Sequence, residues 1–274
     1  MYLINSYRFG GGAAPVDPDA QAFITAASIT DPTQQSAINT LVTDLKGYGI
    51  WTKMKALYPF VGGTATSHKF NLKDPRDLDA AFRLVFNGGI THNSNGITGN
   101  GTNGYADTKF IPKNNFTSST DRHLSFYLRT NNQLSGDRID MGTIDNGTTF
   151  VGQDFLYNNS FNSQFRGVLS STIVETPTTD SRGFSFVRKI GADQSIFKNG
   201  TKFTTTTGTG NSNGEIPIWL CGISLGSTTS NFFPYAPTNN QFAFASIGDG
   251  LTDIEAADFY TAVQSFQTSL SRQV

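Results

Sequence analysis

The spacing of apolar residues changes along the chain. Asp17-Pro18 and Asp31-Pro32 each place a side-chain acceptor at a helix N-cap and a proline at the first helical position, where its missing N–H costs nothing. After the second start, Ile38, Leu41, Val42 and Leu45 recur at helical spacing, and Gly47 stands where a left-handed residue would end the helix. Ile50, Trp51, Met54, Leu57, Tyr58 and Phe60 follow as a dense apolar cluster interrupted by Pro59 and closed by Gly62-Gly63. That cluster reads as a short helix and turn, with Trp51 in the core.

From residue 82 onward the pattern becomes short alternating runs, Phe82-Arg83-Leu84-Val85-Phe86, Leu124-Ser125-Phe126-Tyr127-Leu128 and Phe184-Ser185-Phe186-Val187, which predict half-buried strands. Asn199-Gly200 between two such runs predicts a two-residue hairpin, because both residues accept positive φ. Phe242-Ala243-Phe244-Ala245-Ser246-Ile247 predicts a buried strand, which Gly248-Asp249-Gly250 turns into a helix. Thr252-Asp253-Ile254-Glu255 is a capping-box sequence for that helix. Phe259, Val263, Phe266 and Leu270 form its apolar stripe, with Asp258, Thr261, Gln264 and Gln267 off it. Residues 93–104 are an Asn/Gly-rich loop, and no fixed-period repeat is present. The chain divides into a tether (1–16), a helical segment packed on the rest (17–80), and a β-sandwich with a closing helix (81–274).

Composition supports the strand-rich reading. Only 15% of the 274 residues are charged, and Gly, Asn, Thr, Ser and Phe are abundant, as short strands and polar turns require. The net charge is -1 and no Lys/Arg run exceeds a pair, so neither a nucleic-acid backbone nor an anionic membrane is an expected partner. Cys221 is the single cysteine, set among Ile218-Trp219-Leu220, and reads as a small apolar residue of a buried strand. The start, Met1-Tyr2-Leu3-Ile4-Asn5, lacks the form of a secretory signal, and no segment is long enough to span a membrane. Tyr2, Tyr7, Arg8 and Phe9 before Gly10-Gly11-Gly12 read as a sticky anchoring peptide on a flexible spacer.

Catalytic chemistry is hard to assemble from these residues. Glu175, Glu215 and Glu255 lie far apart, and Asp137 with Asp140, or Asp145 with Asp154, are the best carboxylate pairs, although they sit among turn residues. His68, His92 and His123 are isolated in sequence and read as structural. Gly222-Ile223-Ser224-Leu225-Gly226 matches the letters of a nucleophile elbow, but a polar loop follows it where a helix is required. The expectation is that the chain is not an enzyme and needs no cofactor. Calcium is left open, through Asp145-Asn146-Gly147 or Asp249-Gly250. Sugar recognition needs aromatic faces beside amide groups, and the candidates are Asn93, Asn95, Asn103, Tyr157, Asn158, Asn231 and Tyr235.

Residues 30–86 carry a further signal: Thr40-Leu41-Val42-Thr43-Asp44-Leu45-Lys46, Ile50-Trp51-Thr52-Lys53-Met54-Lys55, Tyr58-Pro59-Phe60-Val61-Gly62-Gly63-Thr64-Ala65 and Phe70-Asn71-Leu72-Lys73-Asp74-Pro75. These segments, with Phe244-Ala245-Ser246-Ile247-Gly248-Asp249-Gly250-Leu251-Thr252 before the last helix, resemble a recurring module of tailed-bacteriophage virion structural proteins. The resemblance implies a mainly β fold: a concanavalin A-like (laminin-G-like) jelly-roll sandwich with an N-terminal helical segment and a C-terminal helix packed on it. It implies a place on the virion surface, after synthesis in the host cytoplasm, and carries over no catalytic or ligand residue. The expected function is a non-enzymatic virion surface protein, such as a head fibre, capsid decoration or tail accessory, that binds glycans or another virion protein. Its expected partners are other virion proteins and host surface polysaccharide, in a homo-oligomer or symmetric assembly, without membrane insertion. The alternatives are a phage polysaccharide depolymerase or glycosidase, and a purely architectural coat protein.

Overall fold

A computed structural model of the chain describes residues 15–131, 134–136, 138–145, 152–159, 164–209, 214–226 and 232–274. The anchoring residues Tyr2, Tyr7, Arg8 and Phe9 lie outside these, as do Asp137 and Asn231.

The described residues build the expected mainly β, two-sheet sandwich with helices laid on one side. One sheet has eight strands: β13 (Thr201–Thr207), β12 (Asp193–Lys198), β11 (Gly183–Ile190), β6 (Asp121–Leu128), β17 (Gln241–Gly248), β4 (Gly96–Thr98) and β3 (Thr91–Asn93) in spatial order, with β1 (Met54–Tyr58) also on β17. The other has nine: β10 (Val174–Thr176), β9 (Gln164–Val168), β8 (Gly152–Asn159), β7 (Met141–Asp145), β14 (Trp219–Leu220), β5 (Tyr105–Asp107) and β2 (Val85–Asn87), with β15 (Gly222–Gly226) parallel to β7 and β16 (Phe232–Tyr235) beside β15.

Three helices, α1 (Pro18–Ala26), α2 (Pro32–Gly47) and α5 (Asp253–Ser269), accompany the eight-stranded sheet; α3 (Ala65–His68) and α4 (Pro112–Asn115) are single turns. The caps fall where the sequence puts them. Asp17 accepts from the Asp19 N–H and Asp31 from the Gln34 N–H, while Thr252 and Glu255 form both bonds of the capping box. Helix α2 continues through Gly47; the left-handed residue is Gly49, after which the Ile50 N–H donates to the Leu45 carbonyl, closing a Schellman turn.

Two cores result. Phe23, Ile38, Leu41, Val42, Leu45, Phe259, Val263 and Phe266 pack on Tyr127, Phe184, Phe186, Phe197 and Phe244 of the eight-stranded sheet. Its opposite face gives Leu124, Phe126, Leu128, Val187, Ile196, Phe242 and Ile247 to the space between the sheets, where they meet Met141, Leu156, Phe165 and Leu220. The strands read as half-buried are therefore buried on both faces in β6 and β11. The same double burial hides β1 from its sequence pattern: Leu57 faces the helices while Ala56 and Tyr58 face the other sheet, so no apolar/polar alternation marks the strand. What the sequence suggests is a helix there is one 3₁₀ turn, Trp51–Lys53, leading directly into it.

The Asn199-Gly200 hairpin forms as expected, with φ of 48° and 75°. A Cβ on Gly200 would lie 2.6 Å from Tyr260 Cδ1, so glycine serves both the turn and the helix packed against it. Gln267 departs from its expected wet face; it is buried, accepting from Arg272 Nε at 3.0 Å. Cys221 is buried as expected, but at the bend between β14 and β15 with φ 64°, and burial pushes its thiol pKa up.

Candidate functional site

Strand β8 organises the most promising surface. Because side chains alternate across a strand, Asp154, Leu156 and Asn158 point into the sandwich while Phe155, Tyr157 and Asn159 point out. On β9 the residues directly opposite the outward set are Val168, Arg166 and Gln164. On the other side the row continues through Gly142 of β7 to Ile223 of β15 and Tyr235 of β16. Gly142 keeps this row close: at φ 148° its Cβ would stand 2.5 Å from Phe155 Cβ and 2.4 Å from the Asp154 carbonyl oxygen.

Between these side chains lies a hollow of about 170 Å³, lined by Arg138, Ile139, Ile144, Phe155, Tyr157, Asn159, Gln164, Arg166 and Tyr235. Its floor is a small apolar cluster in which Phe155 and Tyr157 stack at 6.1 Å. The polar groups stand on its walls. Tyr157 donates its hydroxyl to Gln164 Oε1 at 3.0 Å, the Arg166 guanidinium lies 5.8 Å from the Tyr157 ring centre, and Arg166 Nε donates to Glu175 at 2.7 Å. Among the described residues Arg138 is held by backbone carbonyls alone, Nε by Ser135 at 3.2 Å and Nη1 by Gly101 at 3.2 Å and Pro237 at 3.1 Å. Gln164 and Glu175, with Thr176 and Pro177, line a second hollow next door, so the surface is a trough with two lobes.

The structure brings two of the proposed sugar-contacting residues, Tyr157 and Tyr235, to this trough. Asn158 is corrected. It is fully buried, donating its amide to Ser185 Oγ at 3.1 Å across the sandwich, because the run is the end of a strand and its parity turns Asn158 inward. Asn93, Asn95 and Asn103 lie elsewhere, on the β3–β4 hairpin and the loop after it. Asn93 accepts from the Asn95 N–H, and Asn103 accepts from Asn100 Nδ2 at 2.7 Å, so these residues fold their own turns. That loop reaches the trough only through the Gly101 carbonyl that holds Arg138. The sequence reading missed Arg138, Asn159, Gln164 and Arg166; period-2 alternation through Phe155, Tyr157 and Asn159 was the available signal.

Of the aspartates weighed for catalysis, Asp140, Asp145 and Asp154 are buried and engaged in the interior. Asp154 pairs with Arg122 at 3.1 Å with both side chains fully buried, and burial holds its pKa up despite the cation. Asp140 accepts from the Asn158 N–H at 2.9 Å and Asn240 Nδ2 at 2.8 Å, and burial raises its pKa to about 6. Asp145 accepts from the Glu215 N–H, and Asp249 pairs with Lys55. Among the described residues no three His, Cys, Asp or Glu side chains are grouped to hold a metal. Ser224 is buried in β15, donating to Thr143 Oγ1, so the elbow-like letters belong to an ordinary strand.

The histidines are less isolated in space than in sequence. His68 Nδ1 lies 3.1 Å from His92 Nδ1, and burial, then His92, lowers the His68 pKa to about 3. His123 Nδ1 lies 2.6 Å from the Asp249 carbonyl, which can only accept, so that nitrogen carries the proton while Ser246 Oγ lies 3.1 Å from Nε2. Burial brings the His123 pKa down to about 4.

No protein-family model matches the chain, and no curated protein matches it. Solved structures do. A Trypanosoma rangeli sialidase in complex with sialic acid matches with a TM-score of 0.50 and 10% identity, over 81% of this chain and 38% of that one. Domain 4 of an extracellular arabinanase of Geobacillus stearothermophilus, in complex with arabinotriose, matches at 0.46 and 13% over 76% and 98% of the two chains. A carbohydrate-binding module of a Ruminococcus gnavus sialidase, bound to sialyllactose, matches at 0.38 and 13% over 50% and 80%. This chain thus spans about two-fifths of the length of the T. rangeli sialidase, and the likeness is one of fold. The expectation that the chain is not an enzyme is corrected by this finding. It rested on a missing strand motif, whereas the T. rangeli sialidase shares the fold, so the missing motif does not decide against an enzyme.

Proposed function

We propose that the chain recognises glycans, and that the trough on the outer face of the nine-stranded sheet is where it does so. The observation that carries this is one rigid row of strands presenting Tyr157 and Tyr235 with the hydrogen-bonding groups of Arg138, Asn159, Gln164 and Arg166 over an apolar floor. Sugar rings offer an apolar face to an aromatic ring and hydroxyls to amide and guanidinium groups, so this combination suits them. The sequence resemblance to virion proteins extends the proposal: the domain stands on a phage surface among other virion proteins, and its glycan is a host surface polysaccharide.

The test is a glycan array with the purified protein, with and without calcium, followed by analysis of every bound glycan for cleavage products. Binding is expected, with a loss of roughly tenfold or more in affinity for Tyr235→Ala, the scale of one lost aromatic contact. Absence of binding to any glycan overturns the proposal. Detection of the chain in purified phage particles, and its absence from the free lysate fraction, tests the virion part separately.

A further inference from the structure

We propose that the sugar this trough takes is an acidic one, with a carboxylate seated on Arg138; the inference rests on the trough being the glycan site. Among the described residues, the lining of the main hollow holds two guanidiniums and no acidic side chain. Arg166 has its counter-ion, Glu175, on the far side towards the second lobe. Arg138 has none among the described residues. Three neutral carbonyls, from Ser135, Gly101 and Pro237, fix Nε and Nη1, and Nη2 has no partner there.

That arrangement differs from the ion-paired arginines of the protein; Arg272 is also held by neutral groups, Gln267 and the Pro59, Phe60 and Ala243 carbonyls, but it is buried in the interior and does not line the hollow. Arg76, Arg83, Arg122, Arg166, Arg182 and Arg188 each meet a carboxylate. Arg138 is instead oriented in advance by backbone from three separate segments, which carries no charge to neutralise it. With Nε and Nη1 engaged, the guanidinium fixed in this way still turns Nη2 and its positive charge to a ligand, a charge-assisted donor for a carboxylate oxygen, with Arg166 over the Tyr157 face lining the same hollow. Gln164 supplies an amide group for a hydroxyl of the same ring. A neutral sugar would leave the Arg138 charge without a counter-ion when the ligand displaces water from the hollow, an unfavourable desolvation.

The wild-type protein is titrated with matched pairs of oligosaccharides that differ only at the acid: glucuronate-containing chains against their carboxyl-reduced forms, and sialyllactose against its carboxyl-reduced form. The two pairs separate a uronic from a sialic source of the carboxylate. At least a tenfold preference for the acidic member of one pair is expected, shrinking as salt is raised. Arg138→Gln should abolish that preference, lowering affinity for the acidic member at least tenfold more than for the neutral one, with folding verified by circular dichroism; Arg138→Lys should restore part of it. Equal affinity for acidic and neutral members in wild type overturns the inference and leaves the glycan site standing. Preference retained in folded Arg138→Gln also overturns it. Binding to neither member of any pair overturns the inference, and the glycan array then decides the fate of the site itself.

Discussion

The two sheets follow the same alternation rule and reach opposite ends. In the eight-stranded sheet both faces are covered, one by α1, α2 and α5 and the other by the partner sheet, so Phe184, Phe186, Phe244 and Phe259 are withdrawn from water. In the nine-stranded sheet the inner face is core, but among the described residues the outer face keeps only a small apolar cluster around Phe155, Tyr157 and Ile223, with a hollow above it. Apolar area removed from water stabilises by about 25 cal/mol per Å² wherever it lies. The open face withdraws less of it, and the aromatic and cationic groups left at its rim remain available to a ligand. A site on this protein is therefore a matter of which sheet face the helices leave bare.

The largest test of this contrast is acid. His68 and His123 are neutral when folded, with pKa values lowered to about 3 and about 4 from 6.5, so the unfolded chain binds their protons first. Their contribution is complete above pH 6.5 and is lost as pH falls towards the folded values, roughly 3–5 kcal/mol for each. Asp140 opposes them: its pKa is raised from 3.8 to about 6, so its contribution is present below 3.8 and disappears as pH rises through 6. Urea unfolding between pH 8 and pH 4 should show a net fall in stability below about 6.5, and His123→Gln should flatten it. An acid limb unchanged by His123→Gln would remove that residue from the account. Next in size, Phe259→Ala empties a fully buried site between α5 and the covered sheet and should cost about 3–5 kcal/mol, with glycan affinity unchanged in the folded fraction.

Gly142→Ala moves the test to the open sheet. Its Cβ would press on Phe155 beneath the trough and meet the Asp154 carbonyl, and the backbone there is in a region glycine prefers. A loss of about 1–3 kcal/mol is expected, with weaker glycan binding, because β7 and β8 must separate. Unaltered affinity would show that the floor of the trough does not position its walls.

Local signals were well written in the sequence: both Asp-Pro caps, the capping box and the Asn199-Gly200 hairpin depend on residues a few positions apart, and each formed as read. The misreadings share a cause in distant partners. Strand β1 looks helical because a sheet and a helical layer bury it from two sides, which erases the alternation. Gln267 looks wet until Arg272 and the Ala243 carbonyl are brought to it by the fold. The trough was half legible. Tyr157 and Tyr235 stand out as aromatics in polar surroundings, but Arg138 gains its meaning only from Gly101 and Pro237, residues 37 and 99 positions away.

Tyr235→Ala is the smallest expected change in stability and the most informative about the contrast. The side chain is 41% exposed at the rim, opposite Ile223 on the neighbouring strand, so its removal leaves no enclosed cavity. A surface truncation of this kind should shift unfolding by about 0.5 kcal/mol or less. Phe259→Ala and Tyr235→Ala then form a crossed pair: the first lowers stability and spares affinity, and the second lowers affinity and spares stability. Calorimetric unfolding and glycan titration of both variants decide it. If Tyr235→Ala instead destabilised the fold as much as Phe259→Ala, the outer face of the nine-stranded sheet would belong to the core, and the division between a covered sheet that folds the protein and an open sheet that binds would fail.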